Sequence, residues 1–300
     1  MKKILIAGGT GFVGKALIEH LINCGYPVHV LTRSRKTNNT KDLQYYIWNI
    51  KDGFIDEKAF DGVTTIINLT GANITEKRWT DKRKVEIIES RTKAIDLLFR
   101  YVKTIGLNID TFISSSAVGY YGTITSNEIF AEEDASGNGF LASVCEKWEE
   151  SAMQFESLAR RTVILRKGVI LGKKGGMYQQ LAPLAKWGIN VSLGSGKQYI
   201  PWMDIRDLMC LYQFILETNE IGGIFNAVST EHVTMNDFSN ALLRSFGKTS
   251  FLPNAPKFLI KLLFGEMSVM LLEGSRINNE KIKQADFHFD YDTIEKSLSL

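Results

Sequence analysis

Fourteen residues at the start of the chain, MKKILIAGGTGFVG, constrain its fold more than any others. Lys3 to Ala7 is a short apolar run that reads as a strand. Gly8-Gly9-Thr10-Gly11 breaks it, and a helical pattern starts at Phe12 with Gly14 in its first turn. Strand, glycine turn and helix, in that order, form the context in which a glycine motif holds a dinucleotide. One glycine permits the tight turn, one lets backbone N–H groups approach a pyrophosphate, and Gly14 lets the helix sit close on the strand. The helix N-terminus then points its unpaired N–H groups and partial positive charge at the phosphates. The spacing reads both as GxGxxG (Gly9, Gly11, Gly14) and as GxxGxxG (Gly8, Gly11, Gly14). Gly8, Thr10, Gly11, Phe12, Val13 and Gly14 are therefore the expected cofactor-binding residues of this turn.

Apolar, β-branched runs recur at Val28–Thr32, Tyr45–Ile50, Thr64–Leu69, Ile109–Ser114 and Thr162–Leu165, with helical patterns at Phe12–Cys24, Asp81–Thr104 and Gly137–Ala159. Strands alternating with helices predict an α/β fold, a doubly wound parallel sheet of the Rossmann type with ligands beyond the carboxyl ends of the strands. After Gly172 the rhythm changes to glycine-rich loops (Gly175-Gly176, Gly194-Ser195-Gly196), a helix at Ile205–Glu217, and a mainly helical stretch from Thr234. The expected division is residues 1–171 for the nucleotide-binding domain and 172–300 for a smaller, mainly helical C-terminal lobe. Phe258 to Leu272, rich in Leu and Met, is either a lid or core, and its helical spacing favours core.

The whole chain excludes several classes. A net charge of +3 over 300 residues, without a long basic tract, does not suit nucleic-acid binding. No apolar run is long enough for a membrane span. The first strand begins at once, so no signal peptide is expected. Three scattered cysteines and four scattered histidines give neither a disulfide framework nor a metal-ligand spacing, and point to a reducing, cytoplasmic setting. The sequence leaves the oligomeric state open.

The second strand ends in HVLTRSRK. A site for NAD usually carries an acidic residue here for the ribose 2′-OH, but Arg33 stands there, followed by Arg35 and Lys36. A guanidinium suits a 2′-phosphate, so NADP (NADPH) is expected over NAD. The fourth run closes in INLTGA, which brings Leu69 and Gly71 to the cofactor. The fifth closes in SSSAVGYYG, which brings Ser114 and Ser116 to the end of a central strand.

With these residues the chain resembles the extended short-chain dehydrogenase/reductases, and within them the epimerase-family (YfcH-like) branch with its C-terminal domain of unknown function. The resemblance runs from GGTGFVG at Gly8 through NLTGA at Asn68, RWT at Arg78, SSSAVGYYG at Ser114, CEKWE at Cys145, RKGVILGKKGGM at Arg166 and GSGKQYIPWMDIRD at Gly194 to GEM at Gly265. It implies an oxidoreductase or epimerase with a catalytic serine at Ser116. It also implies a Tyr/Lys pair on the next helix, where this chain has Leu141 and Cys145. Leucine has no proton to give, so Tyr120 or Tyr121 would have to supply a phenol. Cys145 as a nucleophile is less favoured than an inert core thiol. Arg78, Trp79 and Arg91 either grip an anionic small-molecule substrate or lie along the helix surface. Trp202 and Asp204 fall where the resemblance places the substrate pocket, with Asp207 expected to cap the following helix. Two classes of function remain: an NADP-dependent oxidoreductase or epimerase with an atypical proton donor, and a non-catalytic NADP(H)-binding sensor or regulatory protein.

Overall fold

Each apolar run of the first half becomes a strand of one sheet. In the computed structural model, which describes residues 2–36 and 39–299, the chain runs β1 (Lys3–Ala7), α1 (Phe12–Asn23), β2 (Val28–Thr32), β3 (Leu43–Asn49), β4 (Phe54–Ile55) and β5 (Val63–Asn68). There follow α2 (Asp81–Thr104), β6 (Ile109–Ala117), β7 (Ile129–Phe130), α3 (Phe140–Met153), β8 (Ala159–Lys167), β9 (Val169–Leu171) and α4 (Gly176–Lys186). The remainder comprises β10 (Tyr199–Ile200), β11 (Trp202–Asp204), α5 (Ile205–Glu217), β12 (Gly223–Ala227), β13 (Val233–Thr234) and α6 (Met235–Ser245), then α7 (Lys257–Phe264), α8 (Val269–Leu272), β14 (Arg276–Ile277), α9 (Glu280–Gln284) and α10 (Ile294–Leu298). The third helix is shorter than the periodicity predicts: Gly139, at φ 101°, sits just before its start, and a 3₁₀ turn over Gln154–Ser157 follows it.

The main sheet has the order β12-β8-β6-β5-β1-β2-β3-β4 and is parallel except for β4, which pairs antiparallel to β3. The order reverses at β1, so the crevice between the ends of β1 and β5 is the topological switch point where such sheets bind ligands. One face of the sheet packs on α1 and α5, through Leu17, Leu21, Leu208, Leu211 and Ile215. The other packs on α2 and α3, through Ala94, Leu98, Trp148 and Ala152. Strands covered on both faces read as continuous apolar runs, which explains why ILIA and VHVL show no alternation.

A second core gathers Leu171, Ile200, Trp202, Phe238 and Leu242 under α4 and α6. The chain does not leave the first unit cleanly. After β11 it returns: α5 covers the main sheet and β12 adds to its edge beside β8. The smaller lobe is therefore built from the segments on either side of residues 205–227.

Gly14 sets the distance between helix and turn. A Cβ there would lie 2.6 Å from both the Gly8 carbonyl oxygen and the Gly9 Cα, backbone atoms that cannot step aside. Alanine favours a helix interior over glycine by about 1 kcal/mol, yet overpacking costs about 1–3 kcal/mol. Gly14→Ala is therefore expected to lower the melting temperature. An unchanged or raised value in thermal denaturation would contradict this packing.

Candidate functional site

The glycine turn closes directly on the end of β5. Gly8 takes φ +85°, and a Cβ on it would lie 2.8 Å from the carbonyl group of Leu69, so the two strand ends touch backbone to backbone. Gly11 has ordinary extended geometry (φ −76°, ψ 179°), and only the Gly8 oxygen, at 3.7 Å, comes near where its Cβ would be. Its glycine therefore leaves open space on the outer side of the turn and relieves no backbone strain. No side chain caps α1 at Gly11, so the first N–H groups of the helix are left for another acceptor. These residues fit a dinucleotide: an uncapped helix start, a turn closed on the neighbouring strand, and room where a pyrophosphate approaches.

The other expected cofactor residues are placed as follows. Thr10 is exposed on the turn, and Val13 is half-buried against the core. The Phe12 ring fills the space left by two glycines of the second lobe: a Cβ at Gly175 would come within 2.5 Å of it, and one at Gly172 within 2.9 Å. Arg33, Arg35 and Lys36 are all exposed just past β2; Thr37 and Asn38, within the same basic stretch, lie outside the described residues. Gly71 is exposed, and a side chain there would meet the Arg91 guanidinium at 3.0 Å. Ser114 lies deeper than the others. It is buried inside the sheet, donates to the Ser115 carbonyl and accepts from Asn68, so its hydroxyl is used by the fold.

Two of the three expected catalytic hydroxyls, those of Ser116 and Tyr121, are engaged in hydrogen bonds within the fold. Ser116 is buried, and its hydroxyl donates to Glu149 Oε1 at 2.6 Å. Glu149 is held in turn by Arg166, whose Nε and Nη2 donate to its two oxygens at 2.9 and 2.8 Å. Arg166 Nη1 donates to Tyr121 OH at 2.9 Å, and Tyr121 donates to Asn226 Oδ1 at 2.7 Å. The Arg166 guanidinium also stacks 3.4 Å from the Tyr120 ring centre. Burial pushes the Tyr121 phenol up to about 12, against the opposing pull of Arg166. For Arg166 burial favours the neutral form, but the hydrogen bonds and charge of Glu149 outweigh it and hold the guanidinium charged. These groups form one closed network across β6, α3, β8 and β12. None of Ser116, Tyr120 and Tyr121 lines the adjoining cleft.

That cleft, about 1440 Å³, opens over the carboxyl ends of β6 and β8 and runs from Phe12 to the second lobe. Leu141 and Cys145 both line it, as do Arg91, Trp148 and Lys167. Burial first, then the Glu149 charge, raises the Cys145 thiol to about 12, which makes it inert. Arg91 donates to the carbonyls of Ile87 and Ala72 and lies 4.8 Å over the Trp148 ring. Burial lowers it to about 10, with Arg83 adding to the effect. Trp79 is instead core: its Nε1 donates to Ile74 and its ring meets Phe140 edge-on. Trp202 is likewise buried in the second core and does not itself line the cleft. Arg78 binds the carbonyls of Leu262 and Leu263 at the end of α7, a C-terminal cap. Asp204 touches the cleft, but its oxygens are taken. It caps α5 through the Arg206 N–H, pairs with the Arg206 guanidinium and accepts from Ser297. Asp207, the residue expected to cap α5, instead accepts from the Asp290 and Tyr291 N–H groups.

Phe258, Leu262 and Leu263 are exposed on α7, so the expectation of core fails for that face, whereas Phe264, Met267, Met270 and Leu271 line the cleft. The residue that sequence reasoning missed is Lys167. It ends β8, is half-buried, and donates to Ser115 Oγ at 2.7 Å. Nothing in RKGVILG distinguishes it from a surface lysine at a strand end. Among the described residues, no three His, Cys, Asp or Glu side chains come together to hold a metal ion, and no helix is long and apolar enough to cross a membrane.

A parallel sheet with a glycine turn at its switch point and a cleft over its carboxyl edge defines a nucleotide-binding Rossmann protein of the short-chain dehydrogenase type. The chain belongs to the NAD dependent epimerase/dehydratase family, whose model matches residues 4–227; the model of a domain of unknown function, DUF1731, matches residues 255–299. It is 32% identical over 296 residues to "Epimerase family protein Mb2239" of Mycobacterium bovis, across 98% of this chain and 96% of that protein. It is 30% identical to "Epimerase family protein YfhF" of Bacillus subtilis, across 99% of this chain and 96% of the relative. Among solved structures it resembles the human epimerase family protein SDR39U1 (isoform 2) with NADPH, at 25% identity and a TM-score of 0.87, covering 99% of this chain and 98% of that one.

Removing one partner of a buried, hydrogen-bonded ion pair costs about 3–5 kcal/mol, because the other charge is stranded. Glu149→Ala should therefore destabilise the chain by that amount in urea denaturation. A loss under 1 kcal/mol would mean that the network is solvated.

Proposed function

We propose that this protein is an NADP(H)-dependent oxidoreductase or epimerase-type enzyme acting on a small, anionic substrate. The observation that carries the reading is the cleft, which joins Phe12 of the glycine turn to the second lobe and meets Lys167, Arg91 and Cys145 at the carboxyl edge of the sheet. A protein that only held a dinucleotide would not need so large a chamber beside it. The likeness to a human protein solved with NADPH supports the cofactor. Gly8, Gly11 and the start of α1 would hold its pyrophosphate, and Arg33 its 2′-phosphate. When bound, the nicotinamide supplies or takes a hydride. The anionic preference rests on Lys15, Lys173 and Lys174 at the rim, together with Arg91, against Glu19 and Glu273; Asp204 is neutralised by Arg206.

The second reading, a binding protein without turnover, rests on Leu141 and Cys145 at the positions of the usual Tyr/Lys pair. The two are separated by incubating the protein with stereospecifically deuterated NADPH and a pool of carbonyl metabolites and nucleotide sugars. Deuterium in a product supports the enzyme. Tight NADPH binding without transfer to any member of the pool supports the binding protein.

Cofactor choice is checked by fluorescence titration of NADPH and NADH. The wild type should bind NADPH more tightly, and Arg33→Asp should erase about 1–3 kcal/mol of that difference, the range for a charge-assisted contact. Equal wild-type affinities would exclude the assignment of Arg33. Gly11→Val should fold, since its φ suits any residue and its Cβ meets no close atom, yet bind no NADPH because the side chain occupies phosphate space. A folded Gly11→Val protein with normal NADPH affinity would remove the turn from the cofactor site.

A further inference from the structure

We propose that Lys167 is the proton-transfer residue of the cleft, exchanging a proton with a substrate oxygen from the end of β8. The proposal rests on the oxidoreductase reading above and names the group that reading lacks.

β6 and β8 run parallel with Ser115 opposite Leu165 and Ala117 opposite Lys167. Alternation along the strands puts Ser116 and Arg166 on one face and Ser115 and Lys167 on the other. The hydrogen bonds obey that division: Ser116 and Arg166 meet Glu149, whereas Lys167 Nζ donates to Ser115 Oγ. Ser116, Tyr120 and Tyr121 sit with the Arg166 network and do not line the cleft, whereas Lys167 does.

Arg91 approaches from α2 and Cys145 from α3, and the Tyr212 hydroxyl lies buried on α5 near Ser115. Cys145 and Tyr212 are both kept protonated by burial, so neither competes for a proton near neutral pH. The Glu149–Arg166 pair is satisfied on the opposite face, and the Asp204–Arg206 pair stands at the start of α5. No carboxylate among the described residues forms an ion pair with Lys167. Burial, and secondarily the Arg91 charge, lowers its ammonium to about 8. A desolvated lysine beside another cation releases its proton close to neutrality, where an ordinary lysine does not.

The step balances without a further reagent. An N–H bond of the ammonium breaks with its electron pair staying on nitrogen, and an O–H bond forms on a substrate alkoxide oxygen. The neutral amine regains its proton from water in the cleft, held in place by Ser115. In the reverse direction the neutral amine removes the proton from a substrate hydroxyl.

The test uses the full chain labelled with [ε-¹³C]lysine and followed by NMR through a pH titration. One lysine signal, absent from Lys167→Met, should have its midpoint near 8, well below the about 10.4 of a free lysine side chain. Lys167→Met should bind NADPH as the wild type does by fluorescence, but lose at least about 100-fold in turnover of any carbonyl substrate the wild type reduces. Lys167→Arg, which keeps the charge without the accessible pKa, should show the same loss. A Lys167 midpoint near 10.4, or a Lys167→Met protein that turns over normally, overturns the proposal. Failure of the wild type to bind NADPH would instead overturn the oxidoreductase reading, and the lysine titration is independent of it.

Discussion

The buried pair of Arg166 and Glu149 is the interaction around which the site is arranged. Both side chains are almost wholly removed from water, at 2% and 7% exposure. Two charges in such a place give little net stability, because their desolvation offsets most of their attraction. What the pair contributes is position. Arg166 spends its donors on Glu149, Tyr121 and the Glu132 carbonyl, and Asn226 then links the edge strand and the Asn278 carbonyl of the C-terminal segment to the same group. Strand β8 is thus locked to α3 on one face, and its next residue, Lys167, is delivered to the other.

The fold was legible in the sequence because its signals are local. ILIA, the glycine turn and the helical pattern from Phe12 each state an element, and Asp81–Thr104 and Ile205–Glu217 appear with the bounds their periodicity implies. What was not local was lost. The hairpin strand Phe54–Ile55 is two residues long, too short for any period to register. A return of late segments to the main sheet is expected of such folds, but nothing in the composition of Ile205–Ala227 says that this is the segment that returns.

The chemistry was less legible, for a physical reason. A hydroxyl at the end of a central strand looks catalytic in sequence because such strand ends face the ligand. Whether it reaches the cleft depends on which face of the sheet it points to and on what waits there. Ser116 points at Glu149, and Tyr121 at Arg166 and Asn226, partners 33 to 105 residues away. Trp202 fills the second core, whereas Asp204 does line the cleft, with its carboxylate held by the start of α5, Arg206 and Ser297. Arg91 does line the cleft, and the space that admits its guanidinium is the missing side chain of Gly71.

Two lobes without a clean boundary hold one cleft through side chains that cross between them. Phe12 belongs to the glycine turn, yet its ring is lodged against Gly172 and Gly175 at the entry to α4. At the opposite side Arg78, just ahead of α2, caps α7, whose last residue Phe264 and the following turn with Met267 line the cleft. Two side chains of the nucleotide-binding domain, Phe12 and Arg78, thus reach the segments that wall the cleft. A ligand that moved the Phe12 turn would press on the Gly172–Gly175 loop, because packed rings and backbone at this distance have no slack to absorb a shift. In this geometry the glycines of the second lobe matter as much to the site as those of the first: the N-terminal set makes room for phosphate, and the later set makes room for Phe12.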